Sequence, residues 1–137
     1  MKSAAKKDIV AVVDGDLARR VAAVEVLKEA ELKAFGVGSI ERLADDHRGA
    51  SLIVVRVGSQ DEMRAVFDAM SQSARLVGTP LFVVGDAEAG MSQVEAFELG
   101  AVDFVYDDVE AGELQARVAA RLNHGNNLAS LSRKHRG

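Results

Sequence analysis

The sequence contains no cysteine, which excludes disulfide bonds, thiolate metal sites and a cysteine nucleophile. It also lacks a long apolar run. The run at 9–13, which follows a basic N-terminus, is closed by Asp14 and is too short for a signal-peptide core or a membrane span. No strand-like run is followed by a P-loop, a G-x-G-x-x-G loop or a G-x-S-x-G elbow. The three histidines lie far apart in sequence and predict no metal cluster. We therefore expect a cytoplasmic protein with no metal and no cofactor.

Length and charge restrict the protein class further. The 137 residues correspond to one ordinary domain, with a formal net charge of −4 and a pI near 5.4. An acidic chain of this kind argues against a general nucleic-acid or anionic-membrane binder, which needs a basic face. We expect a flexible leader at 1–7, one domain at 8–123 and a linker or tail at 124–137, whose basic end is read as solvated.

Five short apolar runs alternate with segments of helical period. The third run, 52–55, is wholly apolar and rich in β-branched residues, as in a strand that is buried on both faces. The only proline, Pro80, stands at the mouth of the fourth run, where a missing N–H costs little. The predicted strands lie at 9–13, 32–37, 52–56, 81–84 and 102–106.

Helix starts and apolar stripes lie between these runs. Asp16 is suited to cap a first helix, whose predicted buried stripe is Leu17, Val21, Val24 and Leu27. Ser59 and Glu62 form a predicted capping box before a helix with an apolar stripe at i, i+3, i+4 and i+7 that begins at Met63. The stripe of the fourth helix, 91–99, is weak, which is typical of a helix that is loosely held or covered by a partner. The fifth helix is expected to be broken at 123–127.

Five successive βα units predict an α/β fold, the flavodoxin-like doubly wound five-stranded parallel sheet. The carboxyl ends of parallel strands meet at one edge of the sheet, where ligands usually bind. An arginine, Arg56, therefore lies where a site is expected. The other residues expected at this edge are Asp14, Gly15, Asp16, Gly85, Asp86, Asp107 and Asp108.

From about residue 8 to residue 123 the chain resembles the receiver domain of bacterial response regulators, and the fold this implies is CheY-like. The resemblance rests on four segments in the family's order and spacing: 9–14, 52–55, 80–84 and 99–104. In that family the first strand ends in an acidic pair and the third in the aspartate that accepts phosphate from a histidine kinase. The fourth strand ends in Thr or Ser, and the fifth in Lys-Pro.

Aligned with that pattern, most of the catalytic set is missing. Asp14 keeps the first acid, but Gly15 stands at the second and Arg56 at the phospho-acceptor position. Gly85 stands at the hydroxyl position, Asp107 and Asp108 at the Lys-Pro, and Phe104 keeps the aromatic switch position. Magnesium needs carboxylate oxygens, and a guanidinium has no lone pair with which to attack phosphorus. The resemblance therefore implies a degenerate receiver, or pseudo-receiver, that is not an enzyme.

Charge alone predicts what replaces the lost site. Arg56 is expected to pair with Asp14, Asp107 or both, which would hold the loops in one state, because an unpaired and partly buried guanidinium is costly. The alternative is that Arg56 extends to solvent with its stem on the sheet edge. Asp14 and Asp16 also begin a weak calcium-loop pattern, but no third acid follows at the required spacing, so capping and pairing are favoured.

The missing catalytic residues favour a function in protein–protein interaction over one in phosphoryl transfer. In the receiver family the face made by the fourth helix, fifth strand and fifth helix carries dimerisation or output contacts. Glu113, Arg117 and Arg121 border that face here and could pair across a two-fold axis. We expect a phosphorylation-independent dimerisation or docking module, such as the regulatory part of a diguanylate cyclase. Two rival hypotheses are a domain that binds a small anion or nucleotide through Arg56 and a conventional phosphorylated regulator.

Overall fold

A computed structural model of the chain describes residues 8–46 and 48–136, with side chains described as far as Asn123. The leader expected at 1–7 lies outside the described residues. Among the residues described, no helix combines the length and apolar character needed to cross a membrane.

The five predicted strands form one parallel sheet in the order β2-β1-β3-β4-β5. Both the α/β class and the doubly wound flavodoxin-like topology are confirmed. The register aligns the strand ends of interest, because Arg56 lies beside Val84 and Gly85 beside Tyr106. The strands are β1 (Ile9–Val13), β2 (Lys33–Val37), β3 (Leu52–Val57), β4 (Leu81–Gly85) and β5 (Asp103–Tyr106).

Each strand is followed by a helix, and four of the five helices begin at a residue whose side chain accepts a backbone hydrogen bond. Asp16, for example, accepts one from the amide of Arg19 at 2.9 Å. In the predicted capping box Ser59 accepts from the amide of Glu62, but the Glu62 carboxylate binds the amide of Gly58 instead of that of Ser59. The helices are α1 (Leu17–Glu29), α2 (Ile40–Ala44), α3 (Gln60–Ser71), α4 (Gln93–Leu99) and α5 (Ala111–Arg136).

The core forms two layers, one on each face of the sheet. One layer packs α2, α3 and α4 against the sheet and includes Met63 and Met70, which confirms the predicted stripe of α3. The other packs α1 and α5 against the sheet around Leu27, Phe82 and Val118. Because both faces are covered, the strands are almost continuously apolar, as is usual for parallel sheets.

The predicted buried stripe of α1 is wrong in its first half. Leu17 and Val21 are 64% and 51% exposed, whereas Leu27 is fully buried. The cause is close contact between α1 and β2. A Cβ at Gly36 would lie 2.7 Å from Cγ of Arg20, so the missing side chain makes room for Arg20 against the strand. The side of α1 that lies against β2 therefore carries Arg20 and Val24, and not Leu17 or Val21.

The break expected near the end of the chain is also absent. The helix α5 continues through 123–127 and ends at Arg136. Helical hydrogen bonding across the glycine and asparagines there has outweighed their weak helix propensity. The described part of the tail is thus helical.

Candidate functional site

The candidate site lies at the carboxyl edge of the sheet, around the end of β3. Successive side chains of a strand point to opposite faces, so Arg56 shares a face with Val54, which packs in the layer of α1 and α5. Arg56 is the one polar side chain in β3. It lies near the carboxyl end of the strand, beside the loops that follow β4 and β5.

Arg56 binds the two carboxylates of those neighbouring loops. Its Nη2 donates to Oδ2 of Asp107 at 3.1 Å and to Oδ2 of Asp86 at 3.3 Å. The side chain of Arg56 is 21% exposed, so water reaches the ion pair only in part. The predicted pairing of Arg56 with Asp107 is present, and the alternative in which Arg56 extends freely to solvent is not observed.

Asp107 connects this cation to the loop after β4. Its Oδ1 accepts a hydrogen bond from the amide of Ala87 at 3.0 Å, while Oδ2 accepts from Arg56. Partial burial raises the pKa of Asp107, but the Ala87 amide and the Arg56 guanidinium lower it by more, so the net pKa lies below its ordinary value. The ionised carboxylate is therefore the stable form in the folded protein.

Asp14, the other acid named as a possible partner of Arg56, does not pair with it. Its buried carboxylate accepts from Nε of Arg19 at 3.1 Å and from Nη2 at 3.0 Å, as well as from the amide of Asp16 at 2.9 Å. Arg19 lies in the first turn of α1 and reaches back over the end of β1. Of the two acids that the sequence offered as partners of Arg56, Asp14 is therefore bound by a nearer cation on the following helix, and Asp107 by Arg56.

Asp16 and Gly15 take structural places at this edge. The Asp16 carboxylate caps α1, and its hydrogen bond from the amide of Arg19 lowers its pKa. Gly15 is exposed, and a Cβ there would meet only the carbonyl oxygen of Gly38, at 3.8 Å. A side chain at position 15 would start without a clash. Steric hindrance therefore does not explain the absence of an acid there.

Gly85 and Phe104 are in direct contact below the loops. A Cβ on Gly85 would lie 2.7 Å from Cζ of Phe104 and 3.1 Å from Sδ of Met91. The Phe104 ring is buried and packs edge to face on Tyr106, whose hydroxyl donates to the carbonyl of Met91 at 3.2 Å. The aromatic residue thus fills the volume that a side chain at position 85 would occupy.

The arrangement does not resemble a magnesium site. Both oxygens of Asp14 are already bound by Arg19, and Asp107 and Asp86 are bound by Arg56. Within the described residues no group of three or more acids or histidines is placed to share a metal ion. Chemically, the site holds the loops after β4 and β5 to the end of β3 through Arg56, and a separate pair joins Asp14 to Arg19 of α1.

The predicted interaction residues occupy one flank of α5. Arg117 donates to Glu113 at 2.9 Å and to Asp103 at 3.1 Å, and Arg121 lies 3.8 Å from Asp103. These pairs lie within one chain, so Arg117 already has intramolecular partners. Asp103 is only 7% exposed. Its contact with Arg117 therefore also links α5 to the buried residues of β5.

The helix α4 presents apolar side chains beside that flank. Glu95 binds Arg64 and Gln60 of α3, and Ala96 is buried in the core. At 100° per residue, Phe97 lies on the side of α4 away from Glu95, and Val94 lies nearly opposite the buried Ala96. Val94 is 66% and Phe97 44% exposed. The weak apolar stripe of the sequence corresponds to a helix that leaves large apolar side chains uncovered.

The pairing of three side chains does not follow from the sequence pattern. Arg19 and Asp103 are not among the expected site residues, and Asp86 is expected at the edge of the sheet without a partner. For Arg19 a signal exists, because an arginine one turn after a strand-end acid can reach back to it. For Asp103 the signal was an acid in an otherwise apolar strand, which requires a partner when it is buried.

Comparison with known proteins gives structural neighbours only. The sequence matches no protein-family model and no curated protein. A signal receiver domain from Vibrio parahaemolyticus is similar, with a TM-score of 0.74 at 16% identity over 91% of this chain and 97% of that one. A response regulator receiver protein from Pseudomonas putida has a TM-score of 0.68 at 24% identity over 84% and 97% of the two chains.

A third neighbour extends this likeness to another kind of signalling protein. The signal receiver domain of a signal transduction histidine kinase from Syntrophus aciditrophicus has a TM-score of 0.68 at 19% identity. It aligns with 86% of this chain and 91% of its own. The chain therefore has the fold of receiver domains over nearly all of its described length.

Proposed function

We propose that the chain is a pseudo-receiver: a signal-transduction module that works through protein contacts and does not depend on phosphorylation. The observation that carries this proposal is Arg56, at the carboxyl end of β3, bound to Asp86 and Asp107. At this position a receiver carries its phospho-acceptor aspartate, according to the resemblance. A guanidinium cannot accept a phosphoryl group, because it has no lone pair to offer.

The ion pairs also supply a physical substitute for phosphorylation. In the pairing of Arg56 with Asp86 and Asp107, one cation holds the loop after β4 and the loop after β5 together at all times. Phe104 is buried against Gly85, where a larger residue would clash with the ring. A module built this way presents one surface constantly, so its partner contacts are regulated by concentration or by attached domains.

The surface we assign to this role consists of α4, β5 and α5. Its apolar part is Val94 and Phe97, and its charged part is Glu113, Arg117 and Arg121. Apolar side chains rimmed by charges of both signs are typical of protein interfaces. We propose self-association through this surface, with the module acting as the regulatory part of a larger signalling protein such as a diguanylate cyclase.

The rival hypothesis of an anion clamp has less support. Arg56 already faces two carboxylates, and Asp14 is bound by Arg19. An incoming phosphate would have to displace a carboxylate from the guanidinium and would meet the remaining acids. Charge balance at the edge of the sheet therefore favours an internal role for Arg56.

Sedimentation equilibrium of residues 1–137 without magnesium or a phosphodonor tests the proposal. The variant is Val94→Glu, because Val94 is 66% exposed and a charge there disturbs only an interface. We expect a wild-type dimer whose dissociation constant rises at least about tenfold in the variant, since burying an unpaired charge costs more than 1.4 kcal/mol. Arg117→Glu is less suitable because it also removes the partner of Asp103.

The matched control is Leu17→Glu. Leu17 is 64% exposed and begins α1, which follows β1, a strand separated from β5 by β3 and β4. The control should leave the dimer unchanged. A wild-type monomer at all concentrations would refute self-association, and equal weakening by the two variants would refute the assigned surface. Addition of magnesium and beryllofluoride should not alter the association, and a shift on their addition would refute the independence from phosphorylation.

A further inference from the structure

A polar groove lies at the β2 edge of the sheet, between α1 and α2. Arg20 of α1 and Arg42 of α2 line it, together with three glycines: Gly15, Gly36 and Gly38. Its volume is about 800 Å³, within the range of about 300–1,000 Å³ that is usual for ligand sites. We call it the β2 groove. Because β2 and β5 are the two edge strands, the groove is separate from the surface assigned above to self-association.

Arg20 is held in the groove by its stem and by one of its nitrogens. A Cβ at Gly36 would lie 2.7 Å from Cγ and 3.1 Å from Cδ of Arg20, so the stem packs directly on the glycine. Nη1 donates to the main-chain carbonyl of Asp14 at 2.8 Å. The Asp14 carboxylate is bound by Arg19, and Arg20 forms no ion pair with any residue that the structure describes. A guanidinium positioned in this way retains donors for a ligand.

Arg42 brings a second cation to the same place. A Cβ at Gly38 would lie 3.5 Å from Nη1 of Arg20 and 4.0 Å from Nε of Arg42, so the two guanidinium groups flank one glycine. Arg42 is exposed, and no ion pair joins it to another residue in the described ranges. Like charges at this spacing repel each other, and an anion between them is attracted by both. The missing side chain at position 38 leaves that space open.

The acids of the groove do not balance its two cations. Both carboxylate oxygens of Asp46 accept from Arg48, at 2.9 and 2.7 Å, which lowers the pKa of Asp46 and neutralises its charge locally. Within 8–46 and 48–123, Asp45 is then the one acid lining the groove without an ion pair. The groove is therefore positively charged in a chain whose net charge is −4.

These charges determine the class of ligand. Two guanidinium groups around one point suit a phosphate group, whose oxygens accept hydrogen bonds from several N–H donors at once. A phosphate ion alone would leave most of the groove empty, and the Asp45 carboxylate at the C-terminal end of α2 can accept from a hydroxyl group. We propose that the β2 groove binds a small phosphate monoester that carries hydroxyl groups, with its phosphate between Arg20 and Arg42 and a hydroxyl at Asp45.

Glycerol 3-phosphate is the probe, and inorganic phosphate and glycerol test its two parts. The measurement is an NMR titration of the full chain at constant ionic strength and about pH 7.5, where a phosphate monoester is mostly dianionic. We expect saturable shifts of the amide signals of Gly15, Gly36 and Gly38 with glycerol 3-phosphate. Inorganic phosphate should bind about fivefold more weakly, because it lacks the hydroxyl contact, and glycerol should give no saturable shift. Equal affinity for inorganic phosphate would overturn the role of the hydroxyl groups. Shifts by glycerol 3-phosphate that do not saturate would overturn the site.

A substitution at Arg42 separates this site from general attraction between charges. Arg42→Gln removes one of the two cations from an exposed position and should weaken binding of glycerol 3-phosphate at least about tenfold. The matched control is Lys28→Gln, which removes the same charge from the exposed last turn of α1, outside the groove. The control should bind as the wild type does. Equal weakening by the two substitutions, or none by Arg42→Gln, would overturn the assignment of the phosphate to this pair of arginines.

Discussion

The ring of Phe104 occupies the space that a side chain at Gly85 would need: a Cβ at position 85 would lie 2.7 Å from Cζ of that ring. Real Cβ atoms do not approach a neighbour this closely, so the two positions constrain each other. A glycine at the end of β4 permits a buried aromatic residue in β5, and the buried ring forbids a larger residue at position 85. This one contact joins the two positions that the receiver resemblance gives as the hydroxyl position and the aromatic switch position.

Gly85→Thr should therefore destabilise the protein instead of restoring a receiver feature. The added side chain meets Phe104 and Met91, both buried, and overpacking of this kind costs about 1–3 kcal/mol. Urea denaturation measures the loss. Replacing Phe104 with leucine in the same chain should return part of the lost stability, because a smaller side chain frees the volume.

The control for that experiment is Gly49→Thr. Gly49 is exposed, and a Cβ there would meet nothing within 4 Å. Its effect should stay within about 0.5 kcal/mol, as for most surface substitutions. Equal effects of the two threonines would show that the ring moves away at no cost, contrary to the argument from packing.

How much of this was predictable from sequence differs between fold and site. Buried strands such as 52–55 are apolar throughout, so the five strands, their parallel arrangement and the stripe of α3 followed from pattern alone. The stripe of α1 did not follow, because Gly36, on another strand, leaves room for Arg20 to lie against the sheet. Local pattern cannot reveal a contact between residues that are distant in sequence.

The site shows the same division. The sequence placed Arg56, Asp14 and Asp107 at one edge because strand ends converge there, and the structure brings them together. It could not choose between the acids, since the choice depends on which cation is nearer to Asp14. Arg19, on the first turn of α1, is the nearer one. Which arginine binds Asp14 depends on interatomic distances in the folded chain, and these cannot be derived from the order of residues alone.

A double-mutant cycle on Arg56 and Asp107 should show coupling of about 1 kcal/mol. The two side chains are 21% and 28% exposed, so solvent screens the pair only in part. Arg56→Gln, Asp107→Asn and the double variant are compared by urea denaturation. The matched cycle of Arg56 with Asp14 should show no more than about 0.3 kcal/mol, because Asp14 binds Arg19. Stronger coupling in the second cycle would contradict the pairing described above.

The same pair predicts a dependence of stability on pH. The folded-state pKa of Asp107 lies below its ordinary value of 3.8, although burial opposes this, because the Ala87 amide and Arg56 favour the ionised form. A depressed pKa contributes stability above the unfolded-state pKa, and that stability is lost as pH falls through the folded-state pKa. The difference in unfolding free energy between wild type and Asp107→Asn should therefore shrink between about pH 5 and about pH 2. A difference that is constant over this range would exclude a role for ionisation.

Arg56→Asp should not restore phosphorylation by acetyl phosphate. The new carboxylate would lie beside Asp86 and Asp107, three acids with no lysine among them, and Asp14 would remain bound to Arg19. Magnesium would have to displace that arginine before the phosphoryl group could be bound. Intact-protein mass spectrometry after incubation with acetyl phosphate and magnesium should show no phosphoryl adduct. An adduct on this single variant would mean that the remaining pocket is functional.

The two acids that bind Arg117 should differ sharply in their importance. The side chain of Asp103 is 10% exposed and binds both Arg117 and the amide of Phe104, whereas that of Glu113 is 51% exposed. Asp103→Asn leaves Arg117 and Arg121 facing a neutral, semi-buried group, and we expect a loss of about 1–3 kcal/mol in the free energy of unfolding. Glu113→Gln should change it by less than about 0.5 kcal/mol, because an exposed pair is screened by water. The measurement is urea denaturation of the two variants. Equal losses of stability would mean that Arg117 is held by Glu113 as much as by Asp103, and that the buried carboxylate of Asp103 does not stabilise the packing of α5 on β5.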